Sequence, residues 1–204
     1  MTDSKSTVRR TRKGEDKPQL SVDDWLDGAA GEIAAGGFGN LRVLTLAKKL
    51  GVTRGSFYWH FRDHEDLVVR FLNRWRDRRL HELRYWKPGD GDVEEELRRI
   101  LEILLSDASR NIRRLQVELA VRDYARRNDY AAGLVREVDE SRIAQNCLLF
   151  ERLGSDPERT RDLSLLLYVA TIGSQVVLTG RDGDQDTIRR IEGLVAGVIM
   201  GLRE

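Results

Sequence analysis

The chain has 204 residues, 40% hydrophobic and 34% charged, and its 35 basic and 34 acidic side chains leave a formal net charge of +1. That length holds one domain, or a small domain followed by a larger one, and the even balance excludes a polycation, so any affinity for nucleic acid must come from a local concentration of charge. The single cysteine, Cys147, excludes an internal disulfide and a cysteine-based zinc cluster within one chain and fits a reducing cytoplasm, and the basic N-terminus has no apolar core after it, so no signal peptide is expected.

Residues 1–19 are polar and without periodicity, and read as a disordered tail. Its basic residues, Lys5, Arg9, Arg10, Arg12, Lys13 and Lys17, outnumber Asp3, Glu15 and Asp16. A solvated tail is the simpler reading; an arm that touches phosphate or the minor groove is the alternative. Ser21, with Asp24 three residues on, has the signature of an N-cap. Val22, Trp25, Leu26, Ala29, Ala30 and Ile33 then form a helical stripe, so the first helix is apolar inside and acidic outside. Gly36 and Gly37 end it, and Phe38 is expected to fill the core below the next two helices.

Residues 41–62 read as a helix, a glycine turn and a second short helix. Val43, Leu46, Ala47 and Leu50 share one helical face, Gly51 supplies the left-handed exit, and Val52 fills the corner. Phe57 and Phe61, four residues apart, suit a core; Thr53, Arg54, Gly55, Ser56, Tyr58 and His60 leave the other side small or polar. The stretch contains Arg42, Lys48, Lys49, Arg54 and Arg62 and no acidic residue. A short basic helix with hydroxyl and aromatic groups fits the major groove of DNA, about 12 Å wide. Arg54 is the best candidate for base reading, since its planar fork matches guanine O6 and N7. Thr53 and Ser56 can reach base edges or phosphates, and Gly55 removes bulk where the backbone nears the groove. Tyr58 lies one turn beyond Arg54 and can meet a phosphate or a thymine methyl. Arg42, Lys48 and Arg62 would add salt-sensitive, sequence-blind grip. For Lys49 a solvated face is favoured over contact. Trp59 also reads as a packing residue, and His60 as a helix-end hydrogen-bonding group.

Leu46-Ala47, Leu50-Gly51-Val52 and Phe57-Tyr58-Trp59-His60-Phe61 together resemble the DNA-binding signature of the tetracycline-repressor (TetR) family. The resemblance covers this region; the remaining two-thirds agree only in length and helical layout. It implies that Tyr58, Trp59 and His60 contact the DNA backbone and fix the register. Two positions depart from the family pattern. His64 stands where a lysine often begins the following helix, which leaves its phosphate contact to be weakened, pH-dependent or replaced by Arg62. Arg42 stands where Thr or Ser often opens the first motif helix, which leaves Asn40 as the cap.

Asp63 can cap a long helix from about His64 to Trp86, with Leu67, Val68, Phe71, Leu72 and Trp75 inward. Its arginines, Arg70, Arg74, Arg76, Arg78 and Arg79, read as solvated or paired with acids. Pro88-Gly89-Asp90-Gly91 is a breaker. Helical spacing then covers 93–109 and 112–128; Asp129 is expected to cap a helix to Leu153; Asp156-Pro157 opens another to Thr179; and a last helix spans about 184–201. Leu163 to Thr179 is the longest apolar run, but Ser164, Ser174 and Gln175 interrupt it, short of the ~20 residues of a membrane span. Its apolar residues cover more than one face, which predicts a second packing partner, and a homodimer interface at Leu165, Val169, Ile172 and Val176 fits best. The resemblance implies the same.

The expected architecture is all-α. It has a disordered tail (1–19), a helix-turn-helix DNA-binding domain (20–66, motif about 42–61) and a larger helical effector-binding and dimerisation domain (67–204). The resemblance implies a small-molecule pocket there. Leu101, Leu105, Leu119, Tyr124, Cys147, Phe150, Tyr168 and Gln175 are candidate lining residues, and an apolar or weakly polar effector is expected. The function expected is a sequence-specific transcriptional regulator. It would be a homodimeric repressor on a palindromic double-stranded operator, released by that effector; an activator, or a regulator controlled by a protein partner, is the alternative. Catalysis is not expected, nor are a cofactor, a metal or a membrane. His60, His64 and His81 lie in or near the DNA-reading region, His64-Glu65 lacks the second histidine of a zincin helix, and no glycine-rich phosphate loop or nucleophile elbow is present.

Overall fold

Ser21 starts the first helix, α1 (Val22–Gly36), as a full capping box: its hydroxyl accepts from the Asp24 amide, and the Asp24 carboxylate accepts from the Ser21 amide at 2.8 Å. In the computed structural model residues 20–85, 112–152 and 155–178 are described, with residues 92, 95, 96, 99, 190, 193–195, 197, 198 and 201 in addition. The 1–19 tail, the Pro88–Gly91 breaker, Leu101, Leu105 and most of the last expected helix lie outside them. The described elements are helical throughout, as expected for an all-α chain. After α1 come a 3-10 turn (Phe38–Asn40), α2 (Val43–Lys49), α3 (Arg54–Phe57), α4 (His64–Tyr85), α5 (Ile112–Ala125), α6 (Asp129–Arg152) and α7 (Pro157–Leu178).

The amino-terminal core is aromatic. Trp25 is fully buried and meets Phe57 and Phe61 edge-on, at ring-centre distances of 5.5 and 6.4 Å, while Phe57 and Phe61 stack at 5.1 Å. Leu67, Val68, Phe71, Leu72 and Trp75 of α4 close it, as their spacing predicts. Helix α1 approaches α2 so closely that a Cβ on Gly28 would lie 2.8 Å from Leu46 Cδ1. The core does not stop at the head. It runs on through Val117 and Val121 of α5 into Ala131, Leu134 and Val138 of α6. Phe38 packs against this core, stacks on Tyr124 of α5 at 4.3 Å and meets Phe71 edge-on at 5.9 Å, so it also joins the head to the rest.

Two expected caps are corrected. Asn40 does not cap α2: its amide donates to the Glu32 carbonyl and carboxylate, and α2 begins at Arg42 with no side-chain cap. At α6 it is Asn128, not Asp129, whose side chain accepts from the third residue's amide, Ala131 N, at 2.9 Å. Helix α5 therefore ends at Ala125, before the expected Asn128. Asp63 caps α4 through the Asp66 amide (2.8 Å), and Asp156 caps α7 through the amides of Glu158 and Arg159.

Helix α7 buries Thr160, Leu163, Ser164, Leu167 and Thr171, and α6 packs beside it. The buried hydroxyls of Ser164 and Thr171 donate to carbonyls one turn back, which lets polar residues sit in that face. Leu165, Leu166, Val169 and Val176 point the other way and are exposed.

A buried ionic network joins four helices. The Glu118 carboxylate on α5 accepts from Arg79 of α4 (3.1 Å), Arg122 of α5 (3.0 Å) and Arg142 of α6 (2.9 Å). Arg122 also forms a two-pronged pair with Asp139 of α6 and donates to the Tyr168 hydroxyl of α7, which itself donates to Asp139. Burial by itself would push the Glu118 carboxyl up, but Arg142, Arg122 and Arg79 outweigh it and hold it at about 2. Burial, with the hydrogen bond to Asp139, pushes the Tyr168 hydroxyl up to about 12.

A carboxylate depressed in the folded state adds stability that is complete above its unfolded value of 4.5 and is lost as pH falls toward about 2. Glu118→Gln is therefore expected to lower stability at neutral pH by on the order of 3 kcal/mol. The gap to the unaltered protein should narrow through that acid window in denaturant titrations; a gap independent of pH there would contradict the assignment.

Candidate nucleic-acid interface

The exposed face of the motif is held out by what its other face buries. Leu46 and Ala47 anchor α2. Gly51 adopts φ +71°, and the amides of Gly51 and Val52 donate back to Lys48 and Ala47, which makes the turn. Thr53 caps α3 by accepting from the Ser56 amide at 3.3 Å. Phe57 and Phe61 then point into the Trp25 cluster. This leaves Thr53, Arg54, Gly55, Tyr58 and Trp59 exposed, with Ser56 and His60 half-buried.

Arg54 and Tyr58 are coupled. The Arg54 guanidinium donates to the Tyr58 hydroxyl at 3.0 Å and lies over its ring, 5.7 Å from the centroid. At Gly55 an added Cβ would meet only the Thr53 hydroxyl, at 3.5 Å, so the surface there is open to an approaching backbone. Trp59 is 86% exposed, which removes the packing reading for it. An indole left in water next to the exposed Tyr58 is suited to a partner rather than to the core.

The flanking cations divide. Arg42 and Lys48 are exposed. Arg62 points outward, its carboxylate neighbour Asp66 being 4.0 Å away, while its backbone amide donates to Asp66 at 3.0 Å. Lys49 is not on a solvated face alone: it pairs with Glu32, a carboxylate 3% exposed on α1. His64 Nε2 sits 2.7 Å from the Leu41 carbonyl oxygen, tying the start of α4 to the entry of the motif. That contact occupies one of the two ring nitrogens a phosphate would use.

Sequence reasoning missed the Glu32–Asn40–Lys49 group. The available signal was the position of Glu32 between Ala29 and Ile33, on the inward stripe of α1.

The expected lining residues of an effector pocket do not share one setting. Phe150 is fully buried; Leu119 and Cys147 are half-buried; Tyr124 stacks on Phe38; Tyr168 belongs to the ionic network. Leu101, Leu105 and the Gln175 side chain are outside the described residues. Among the described residues no group of three His, Cys, Asp or Glu could hold a metal, and no helix is long and apolar enough to cross a membrane.

Residues 26–71 match the family described as bacterial regulatory proteins, tetR family. Residues 26–71 thus form a domain of the TetR type. The HTH-type transcriptional regulator AcrR of Shigella flexneri is 34% identical over 113 residues, covering 53% of this chain and 51% of that protein. The chain thus spans about half the length of this curated relative. Two solved structures share the fold at 18% identity. A transcriptional regulator from Rhodococcus sp. Rha1 has a TM-score of 0.74, covering 89% of this chain and 97% of that one. A TetR-family regulator from Agrobacterium tumefaciens has a TM-score of 0.71, covering 89% and 98%. The chain therefore has an amino-terminal helix-turn-helix domain and a carboxy-terminal helical domain.

If the Arg54 fork reads a base, Arg54→Ala will lose about 1–3 kcal/mol of preference for the operator over random duplex. Tyr58→Phe keeps the ring but removes the hydrogen bond, and should lose part of the same preference. Equal loss on both duplexes in a binding titration would refute base reading by Arg54.

Proposed function

We propose that this TetR-family protein is a homodimeric transcriptional repressor of a palindromic operator, released by a small molecule. The observation that carries the reading is the α2–α3 surface: exposed, cationic, free of carboxylates from 41 to 62, and fixed by a buried aromatic core. In this reading α3 enters the major groove, Arg54 reads a guanine, and Thr53 and Ser56 add shorter contacts. Open space at Gly55 allows the close approach. Tyr58, Trp59 and His60 grip the sugar-phosphate backbone, Arg42, Lys48 and Arg62 supply salt-sensitive attraction, and His64, tied to the Leu41 carbonyl, has one ring nitrogen left for a phosphate.

One short helix reads too few base pairs to specify a site, and two heads about 34–36 Å apart would read adjacent half-sites. The α7 stripe supports a dimer. Leu165, Val169, Ile172 and Val176 recur at intervals of four, three and four, and Val169 remains 57% exposed in the single chain. Leu166, and Leu148 of α6, are also exposed apolar side chains. Covering such a stripe is the ordinary outcome for a helix apolar on two faces. The effector would enter the helical carboxy-terminal domain and act by binding one head separation better than another. Tyr168 within a network of arginines and carboxylates favours a weakly polar effector over a purely apolar one.

Replacing Val169 and Ile172 with glutamate places charge in the proposed interface. The variant is expected to sediment as a monomer and to bind a full operator no better than a single half-site. An unchanged sedimenting mass would overturn the placement.

A further inference from the structure

Helix α4 is the covalent route from the DNA-reading head to the rest of the chain, and from Asn73 onward it is fastened by polar contacts. Asn73 accepts from the Tyr130 hydroxyl at 2.7 Å, Arg76 reaches Glu137 at 3.4 Å, Arg79 reaches Glu118 at 3.1 Å, and the Leu83 carbonyl accepts from the Gln145 amide at 2.6 Å. Most of these are at least partly open to water. The Arg79–Glu118 contact differs, because both side chains are buried, at 8% and 5% exposure. Glu118 is also the shared acceptor for the guanidiniums of α5 and α6, and through Arg122 it is linked to Asp139 and Tyr168. Arg79 is therefore the point at which the head's lever helix joins a network that spans the carboxy-terminal helices.

We propose that Arg79 and Glu118 are positioning residues for DNA recognition: their ion pair sets the angle of α4, and hence the separation of the two heads on the operator. The inference rests on the dimeric operator-binding reading above. A buried pair suits this task. Its partners are hydrogen-bonded at fixed atoms, and removing one leaves a buried charge that must find a new arrangement. Apolar contacts between the same helices would tolerate sliding; a guanidinium held through Nε by Glu118 at 3.1 Å and through Nη1 by Glu82 of its own helix at 3.2 Å does not. Arg142 provides an internal comparison. It pairs with the same carboxylate, at 2.9 and 3.3 Å, but lies on α6 rather than on the head's lever helix.

The test compares Arg79→Gln, Arg142→Gln and the unaltered protein. Half-sites come from the duplex that the unaltered protein selects out of a random pool, and their spacing is varied one base pair at a time. The unaltered protein should show a sharp optimum. Arg142→Gln should keep that optimum. Arg79→Gln should lose about tenfold at it, with a flattened or displaced profile and undiminished binding to a single half-site. Arg79→Lys, which keeps the charge but lacks the separate nitrogens that reach Glu118 and Glu82, serves if Arg79→Gln does not fold, with the same displacement expected. Identical profiles for the Arg79 and Arg142 variants, whether shifted or not, would overturn the positioning role while leaving the dimeric reading intact. No spacing dependence in the unaltered protein would overturn the dimeric reading and this inference with it.

Discussion

The packing of Trp25 against Phe57 and Phe61 is the constraint on which the reading face depends. Helix α3 has only four residues, far below the dozen or so at which an isolated helix becomes even marginal in water. It exists because Thr53 caps it and because two phenylalanines, one on it and one just past it, are anchored in the core of α1. Each aromatic pair adds about 0.5–1.5 kcal/mol beyond its buried area. The same anchoring decides which residues remain outside. With Phe57 and Phe61 turned inward, Arg54, Tyr58 and Trp59 have no inward choice. Recognition chemistry and core packing are thus two faces of one short segment.

The head is held on the molecule by a mixture of aromatic and ionic contacts. Phe38 wedges between Phe71 and Tyr124. Arg74 clamps Asp23 and Asp27 on the outside of α1, and Arg113 of α5 donates to the Asp27 carbonyl at 2.7 Å. The acidic outer face of α1 is consequently occupied by arginines of α4 and α5, on elements away from the motif's exposed surface. That arrangement lets a chain of net charge +1 present a cationic patch: Asp23 and Asp27 pair with arginine of α4, while Arg42, Lys48 and Arg54 of the motif stay exposed.

The motif was legible in the sequence because its signals are local. Leu46, Ala47, Gly51, Phe57 and Phe61 each occupy a position whose requirement follows from helix periodicity or turn geometry, and so does the two-faced character of α7. Polar partners across helices were not legible. Glu32 with Asn40 and Lys49, and Glu118 with Arg79, Arg122 and Arg142, are a few among many charged residues, and only the packing of α1 on α2 and of α4 on α5 and α6 selects them. The cap of α6 was misplaced by one residue because Asn128 and Asp129 both carry capping side chains and nothing local separates them. Trp59 carried two readings, backbone contact and packing, because a tryptophan within an aromatic run can face either way until the direction of Phe57 and Phe61 is known.

The central claim is that this face reads DNA sequence, and fluorescence anisotropy tests it most directly. The purified protein would be titrated onto labelled duplex from its own upstream region and onto random duplex, at two salt concentrations. Nonspecific phosphate contacts weaken steeply with salt, whereas base contacts preserve the preference. The account predicts a preference for the upstream duplex that survives the higher salt. Binding that is equal on both duplexes and collapses together as salt rises would mean the face only grips phosphate, and would contradict it.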